Sequence, residues 1–141
     1  VDHHLVADLE ALDVPVDCIG SRRGIGLGTI ARIRRATGPS DLVHAHLPST
    51  GILARLAGKA PVVYTEHNVV DSYRPAMRLF NRWTYRFNRA TIAVSEPVAT
   101  SVADFPGPEV RVIPNGVSID NPGISATDIR RELDLDDDTL T

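Results

Sequence analysis

The chain contains a single cysteine, Cys18, and that scarcity settles several questions together. No internal disulfide and no multi-cysteine metal site can be assembled, which suits a reducing compartment. Nowhere does an apolar run approach the roughly 18 residues needed for a membrane-spanning helix. The expectation is therefore a soluble cytoplasmic protein. A net charge of −3 gives no global attraction for nucleic acid. Internal repeats and low-complexity tracts are missing as well, so repeat arrays and disordered segments are set aside. What remains, at 141 residues with ordinary apolar and charged content, is one globular domain large enough to bury a core.

Short apolar runs, bounded by turn residues and separated by segments of helical period, fill most of the sequence. The spacing of Leu5, Val6, Leu9 and Leu12 predicts a helix over His4 to Leu12, and Val14 to Ile19 reads as a strand. Leu27 to Arg35 is a second helix closed by Gly38-Pro39. Strands are expected at Asp41 to Ala45, Pro61 to Thr65, Thr91 to Val94 and Val110 to Ile113. Helices alternate with them at Gly51 to Ala57, capped by Ser49 or Thr50, at Arg74 to Arg89, and at Pro97 to Asp104. This alternation predicts an α/β fold, a Rossmann-like parallel sheet covered by helices on both faces with right-handed crossovers. Both ends read as cut from a longer chain, since a new amphipathic segment begins at Asp128 after the Pro/Gly/Asn/Ser-rich linker Pro114 to Ser125. The domain is expected to occupy residues 1–123, with 124–141 as linker and the beginning of another unit.

Each of four strands stops on residues able to do chemistry. They end in His44-Ala45-His46, Thr65-Glu66-His67-Asn68, Ser95-Glu96 and Pro114-Asn115-Gly116. In an open α/β sheet, ligands sit outside the carboxyl ends of the strands, so the site belongs along this edge. His44 and His46 share one face of a strand. His44 is expected to pack and satisfy its nitrogens internally, while His46 faces the cleft. With Glu66 and His67 they could in principle form a metal site, and hence a metal-dependent hydrolase. A third possibility is a non-catalytic ligand-binding domain. The polar run Glu66-His67-Asn68 after a buried strand implies a polar cavity, because burying it against apolar neighbours would be costly. Ser95 or Glu96 should open the following helix, with Pro97 in its first turn. A Ser95-His67-Glu66 triad is disfavoured, because Ser95 lacks the Gly-x-Ser-x-Gly turn that exposes such nucleophiles. Gly24, Gly26 and Gly28 do not have the dinucleotide-binding spacing and read as a flexible loop.

Arg74, Arg78, Arg82 and Arg86 recur every four residues, with Met77, Phe80, Trp83 and Phe87 on the other side. The expectation is a solvated arginine face over an aromatic face buried in the core. Peripheral contact with the inner face of a membrane through these arginines is the functional alternative.

Taken in order, Asp-Leu-Val-His-Ala-His, Val-Val-Tyr-Thr-Glu-His-Asn, Ile-Ala-Val-Ser-Glu and Val-Ile-Pro-Asn-Gly-Val resemble the amino-terminal domain of GT-B glycosyltransferases, most closely the retaining family 4. The resemblance runs from about Leu5 to Gly123. It implies a domain on the acceptor side of a cleft, with a nucleotide-sugar donor held mainly by a second domain. The acceptor would be a sugar, a lipid-linked molecule or a small molecule. By this resemblance His67 is the catalytic histidine facing the cleft, His46 is the histidine ending the preceding motif strand, and Asn115 and Gly116 belong to the junction element; with Glu66, Asn68, Ser95 and Glu96 at the strand ends, His46, Asn115 and Gly116 are expected to bind substrate. The resemblance further implies that anomeric configuration is retained without a protein nucleophile, that no cofactor or divalent metal is needed, and that this portion alone is inactive.

Overall fold

A computed structural model of the chain describes residues 6–19 and 27–116. The glycine loop at Gly24 and Gly26, the amphipathic segment from Asp128 and the boundary at residue 123 lie outside the described residues. Helices α1 (Val6–Glu10) and α2 (Leu27–Ala36) precede β1 (Val43–His46), α3 (Pro48–Ala57), β2 (Val62–Glu66), α4 (Pro75–Tyr85), β3 (Asn88–Ala93), α5 (Glu96–Ser101) and β4 (Val110–Val112). A single 3-10 turn, Val70–Ser72, leads into α4 and has no counterpart in the sequence reading. The strands form one parallel sheet in the order β1-β2-β3-β4. The expected α/β Rossmann-like parallel sheet is therefore present, although among the described residues the crossover helices cover one of its faces and not both. Val14 to Ile19, read as a strand, takes no regular structure: its apolar alternation is real, but no described strand pairs with it. None of the described helices is long and apolar enough to cross a membrane.

Right-handed crossovers that advance steadily across a sheet put their helices on one side. Accordingly Ala45, Ala54, Val62, Tyr64, Val70, Tyr85, Val102 and Phe105, drawn from β1, α3, β2, α4 and the region of α5, make one buried cluster. Alternation then sends His44, His46, Val63, Thr65 and His67 to the opposite face.

Helix α3 approaches the sheet closely because Gly51 lies against the Tyr64 ring. A Cβ there would sit 2.7 Å from one ring carbon and 3.1 Å from Arg55 Nη2. Alanine ordinarily gains about 1 kcal/mol over glycine inside a helix, but forcing a methyl into a filled core costs about 1–3 kcal/mol. Overpacking wins, so Gly51→Ala is expected to lower stability in denaturant unfolding. A more stable variant would show that the ring moves aside freely. At the far end of α3, Gly58 adopts φ 58° and its N–H donates to Ala54 O, as a left-handed helix cap requires.

The helix side of the sheet holds an ionic core. Arg55 is buried, and its Nε donates to Asn88 Oδ1 at 2.7 Å while Nη1 donates to Asn81 Oδ1 at 2.8 Å and Thr84 Oγ1 at 3.0 Å. Its guanidinium also lies 4.4 Å from the Tyr64 ring centre and 5.1 Å from that of Tyr85. Asn88 reaches this position through an irregularity in register between Val62 and Val63, which leaves Arg89 as an extra residue in β3. The bulge turns both Asn88 and Thr91 inward, where Asn88 Nδ2 donates to Thr91 Oγ1 at 3.1 Å.

This core corrects the reading of α4. Because Arg55 needs acceptors, the inward arc of α4 is Asn81, Thr84 and Tyr85, and Phe80 and Trp83 are left exposed, as is Phe87 beyond the helix end. The helix stops at Tyr85, so Arg86 and Arg89 fall outside it. Two of the arginines have acidic partners: Arg78 pairs with Asp71 and Arg82 with Asp104, each at 2.6 Å.

Candidate functional site at the carboxyl ends of the strands

Register aligns His46 with Thr65 and Glu66 with Ala93, which brings the polar ends of β1, β2 and β3 to one edge of the sheet. There His46 Nδ1 and His67 Nε2 lie 2.9 Å apart, a direct hydrogen bond between two imidazoles. One ring must donate and the other accept, so the pair carries complementary tautomers. His44 stacks beside His46 with ring centres 4.3 Å apart and pairs its Nε2 with Thr65 Oγ1 at 2.8 Å. Thus one nitrogen of His44 is engaged internally, but the residue is exposed and does not pack as expected.

Leu47 follows His46 with φ 67° and ψ 147°, a conformation that side chains rarely adopt. This bend carries the chain from β1 into α3, where Pro48 occupies the first turn. The expected cap from Ser49 or Thr50 is not formed, because the helix starts earlier. Thr50 Oγ1 donates backward to Leu47 O at 2.9 Å and also to His46 O, holding the strand end against the helix.

Burial and the neighbouring imidazoles of His44 and His67 push His46 below the ordinary histidine pKa. An unfolded chain therefore binds this proton more readily than the folded one. The contribution of His46 to stability is complete above the unfolded value of about 6.5 and is lost as pH falls through the folded value. Imidazole nitrogen shifts followed by NMR should find His46 still neutral where a free histidine is half protonated. A midpoint at or above the free value would overturn this account.

Glu66 does not join the histidines. Alternation along β2 turns its carboxylate to the helix side, fully buried, where Oε1 accepts from Tyr64 Oη at 3.0 Å and from Tyr73 Oη, and Oε2 accepts from Asn81 Nδ2 at 3.2 Å. Burial raises its pKa, opposed by these three hydrogen bonds and by Arg55. The expected direct contact between Glu66 and substrate is thus replaced by an internal role. Burial and the Glu66 carboxylate push the Tyr73 hydroxyl pKa up, and Asn68 opposes that rise. The Glu66–Tyr73 hydrogen bond ties the end of β2 to the segment that leads into α4. The proposed metal cluster fails on the same geometry: among the described residues no group of three or more His, Cys, Asp or Glu could hold a metal ion.

Ser95 occupies the N-cap position of α5 with Pro97 in the first turn, but its side chain makes no capping bond. Glu96 is exposed beside it, and Asn115 and Gly116 are exposed beyond β4, separated from β2 by the whole of β3. The geometry therefore joins His46 with His67, while Asn68 is exposed just beyond them and Ser95, Glu96, Asn115 and Gly116 lie along the same edge without contacting that pair. Sequence reading passed over Arg55 and Tyr73. The signal for Arg55 was an arginine within the apolar period of α3, with no nearby acid to pair with.

The family model for Glycosyltransferase Family 4 matches residues 3–121. Among solved structures, that of Anabaena Alr3699/HepE in complex with UDP-glucose is similar, with a TM-score of 0.73 and 22% identity over 95% of this chain and 40% of that one. The structure of the same protein in complex with UDP and glucose gives a TM-score of 0.68 and 23% identity over 90% and 39%. This chain therefore spans about 40% of the length of those chains. At this level of identity the likeness shows the fold. No curated protein matches.

Proposed function

Because the chain belongs to glycosyltransferase family 4, we propose that it forms the acceptor-side, amino-terminal part of an enzyme that transfers a sugar from a nucleotide-sugar to an acceptor hydroxyl. The single observation that carries this reading is the His46–His67 pair, at the carboxyl edge of the sheet where an α/β fold places its ligand. His67 is the residue that hydrogen-bonds the reacting sugar, and His46 holds its ring. Asn68, Ser95, Glu96, Asn115 and Gly116 line the rest of the acceptor side. HepE, solved with UDP-glucose, makes a uridine-diphosphate sugar the first donor to test.

In the reaction, the bond from the anomeric carbon to the diphosphate breaks and the acceptor oxygen bonds to that carbon on the same face. The leaving diphosphate takes the acceptor proton, so configuration is retained without a protein nucleophile or a metal. The full-length enzyme, supplied with UDP-glucose and candidate acceptors, should yield an α-linked product by the anomeric proton coupling, undiminished by a chelator. A β-linked product would overturn retention. Failure to turn over any nucleotide-sugar would overturn the transferase reading itself.

A further inference from the structure

The polar interior of α4 leaves its apolar side chains outside. Leu79 is 66% exposed, Phe80 55%, Trp83 50% and, just past the helix, Phe87 52%. At 100° per residue Leu79, Phe80 and Trp83 share one outward arc, Phe87 meets Trp83 edge to face with ring centres 6.3 Å apart, and Phe80 borders α3. There Ser49, Ile52, Leu53, Ala76, Met77 and Phe80 line an apolar groove of about 210 Å³. Arg78 and Arg82 form the adjoining arc, and Arg74, Arg86 and Arg89 are exposed around it. The surface thus joins an apolar strip to a basic border.

We propose that this α3–α4 surface docks on an anionic lipid bilayer, with the aromatic arc entering the headgroup boundary and the arginines meeting lipid phosphates. The charge distribution selects this occupant. Although the chain is acidic overall, the stretch from Leu27 to Arg89 carries only Asp41, Glu66 and Asp71 as acids. Glu66 is buried and Asp71 already pairs with Arg78. Outside the core the same stretch carries Arg32, Arg34, Arg35, Lys59, Arg74, Arg78, Arg82, Arg86 and Arg89. Around α4, Arg78 and Arg82 are paired with Asp71 and Asp104, which leaves Arg74, Arg86 and Arg89 without an acidic partner among the described residues. A second copy docked on this face would oppose one basic border to another, whereas an anionic surface complements it. Large aromatics beside arginines on a helix that lies along a surface are the composition of interfacial attachment, in which burial of apolar area and attraction to lipid charge add.

The test uses the full-length enzyme and vesicles of phosphatidylcholine with or without phosphatidylglycerol, and binding is read without turnover. Its failure would therefore leave the transferase reading untouched. Cosedimentation should require the anionic lipid and weaken as salt screens the charges. Replacing Arg74, Arg86 and Arg89 by glutamine should reduce partitioning roughly a hundredfold, at about fivefold per arginine. Trp83→Glu, at a half-exposed site, should abolish binding while leaving the thermal midpoint near that of the wild type. Brominated lipids should quench a tryptophan signal that disappears in Trp83→Phe. Absence of binding at low salt would overturn the proposal. So would vesicle binding unchanged by both sets of substitutions, or a wild-type dimer that Trp83→Glu converts to monomer.

Discussion

Replacing His67 by alanine should lower kcat of the full-length enzyme about a hundredfold with the fold intact. Losing one hydrogen bond that strengthens in the transition state costs on the order of 3 kcal/mol. The structural loss is small by comparison, because His67 is only half-buried at a strand end and sits outside the buried apolar cluster. The substitution also removes the hydrogen-bond partner of His46, and one of the two imidazoles that push the His46 pKa down. In His67→Ala the His46 midpoint should therefore move back toward the ordinary histidine range, a change visible by NMR whatever the substrate. His46→Ala should be milder in kcat, since it orients His67 and does not replace it. Kinetics and a thermal melt on both variants check the pair. Wild-type turnover in a well-folded His67→Ala would remove this residue from the mechanism.

The strands β1 to β4 and the edge bearing the histidines were legible because both signals are local. An apolar run that stops on His, Glu or Ser declares a strand end, and parallel order follows from alternating helices. The interior was harder to read. Glu66 and His67 are adjacent in sequence, and only the pleat separates a buried carboxylate from a cleft imidazole. In α4 the hydrophobic period suggested an aromatic core face, and this was inverted because Arg55, from another helix, needed Asn81 and Thr84 as acceptors. No periodicity within α4 encodes a demand that comes from α3. Similarly, Arg78 and Arg82 find Asp71 and Asp104 from segments flanking the helix, so their acids were invisible within the helix window.

That interior network should produce the largest stability effect in the molecule. Arg55→Met removes the buried cation and leaves Asn88 Oδ1, Asn81 Oδ1 and Thr84 Oγ1 without their guanidinium donors. Asn81 is the critical link, accepting from Arg55 on one side while donating to Glu66 on the other. Breaking one side of a buried ionic network costs on the order of 3–5 kcal/mol, because the remaining charge is left uncompensated. Arg55 also holds down the Glu66 pKa, so its removal should raise that pKa further. For a carboxyl whose folded pKa is raised, the contribution to stability is complete below the unfolded value and is lost as pH rises through the folded one. The defect of Arg55→Met should accordingly be worse at pH 8 than at pH 5. Adding Glu66→Gln removes the stranded charge, and the double variant should recover about 1–3 kcal/mol relative to the sum of the single losses. Urea unfolding of the wild type, both single variants and the double variant at the two pH values measures the coupling. Additive losses with no pH dependence would mean that Arg55 and Glu66 are buried independently, and that Asn81 does not join them.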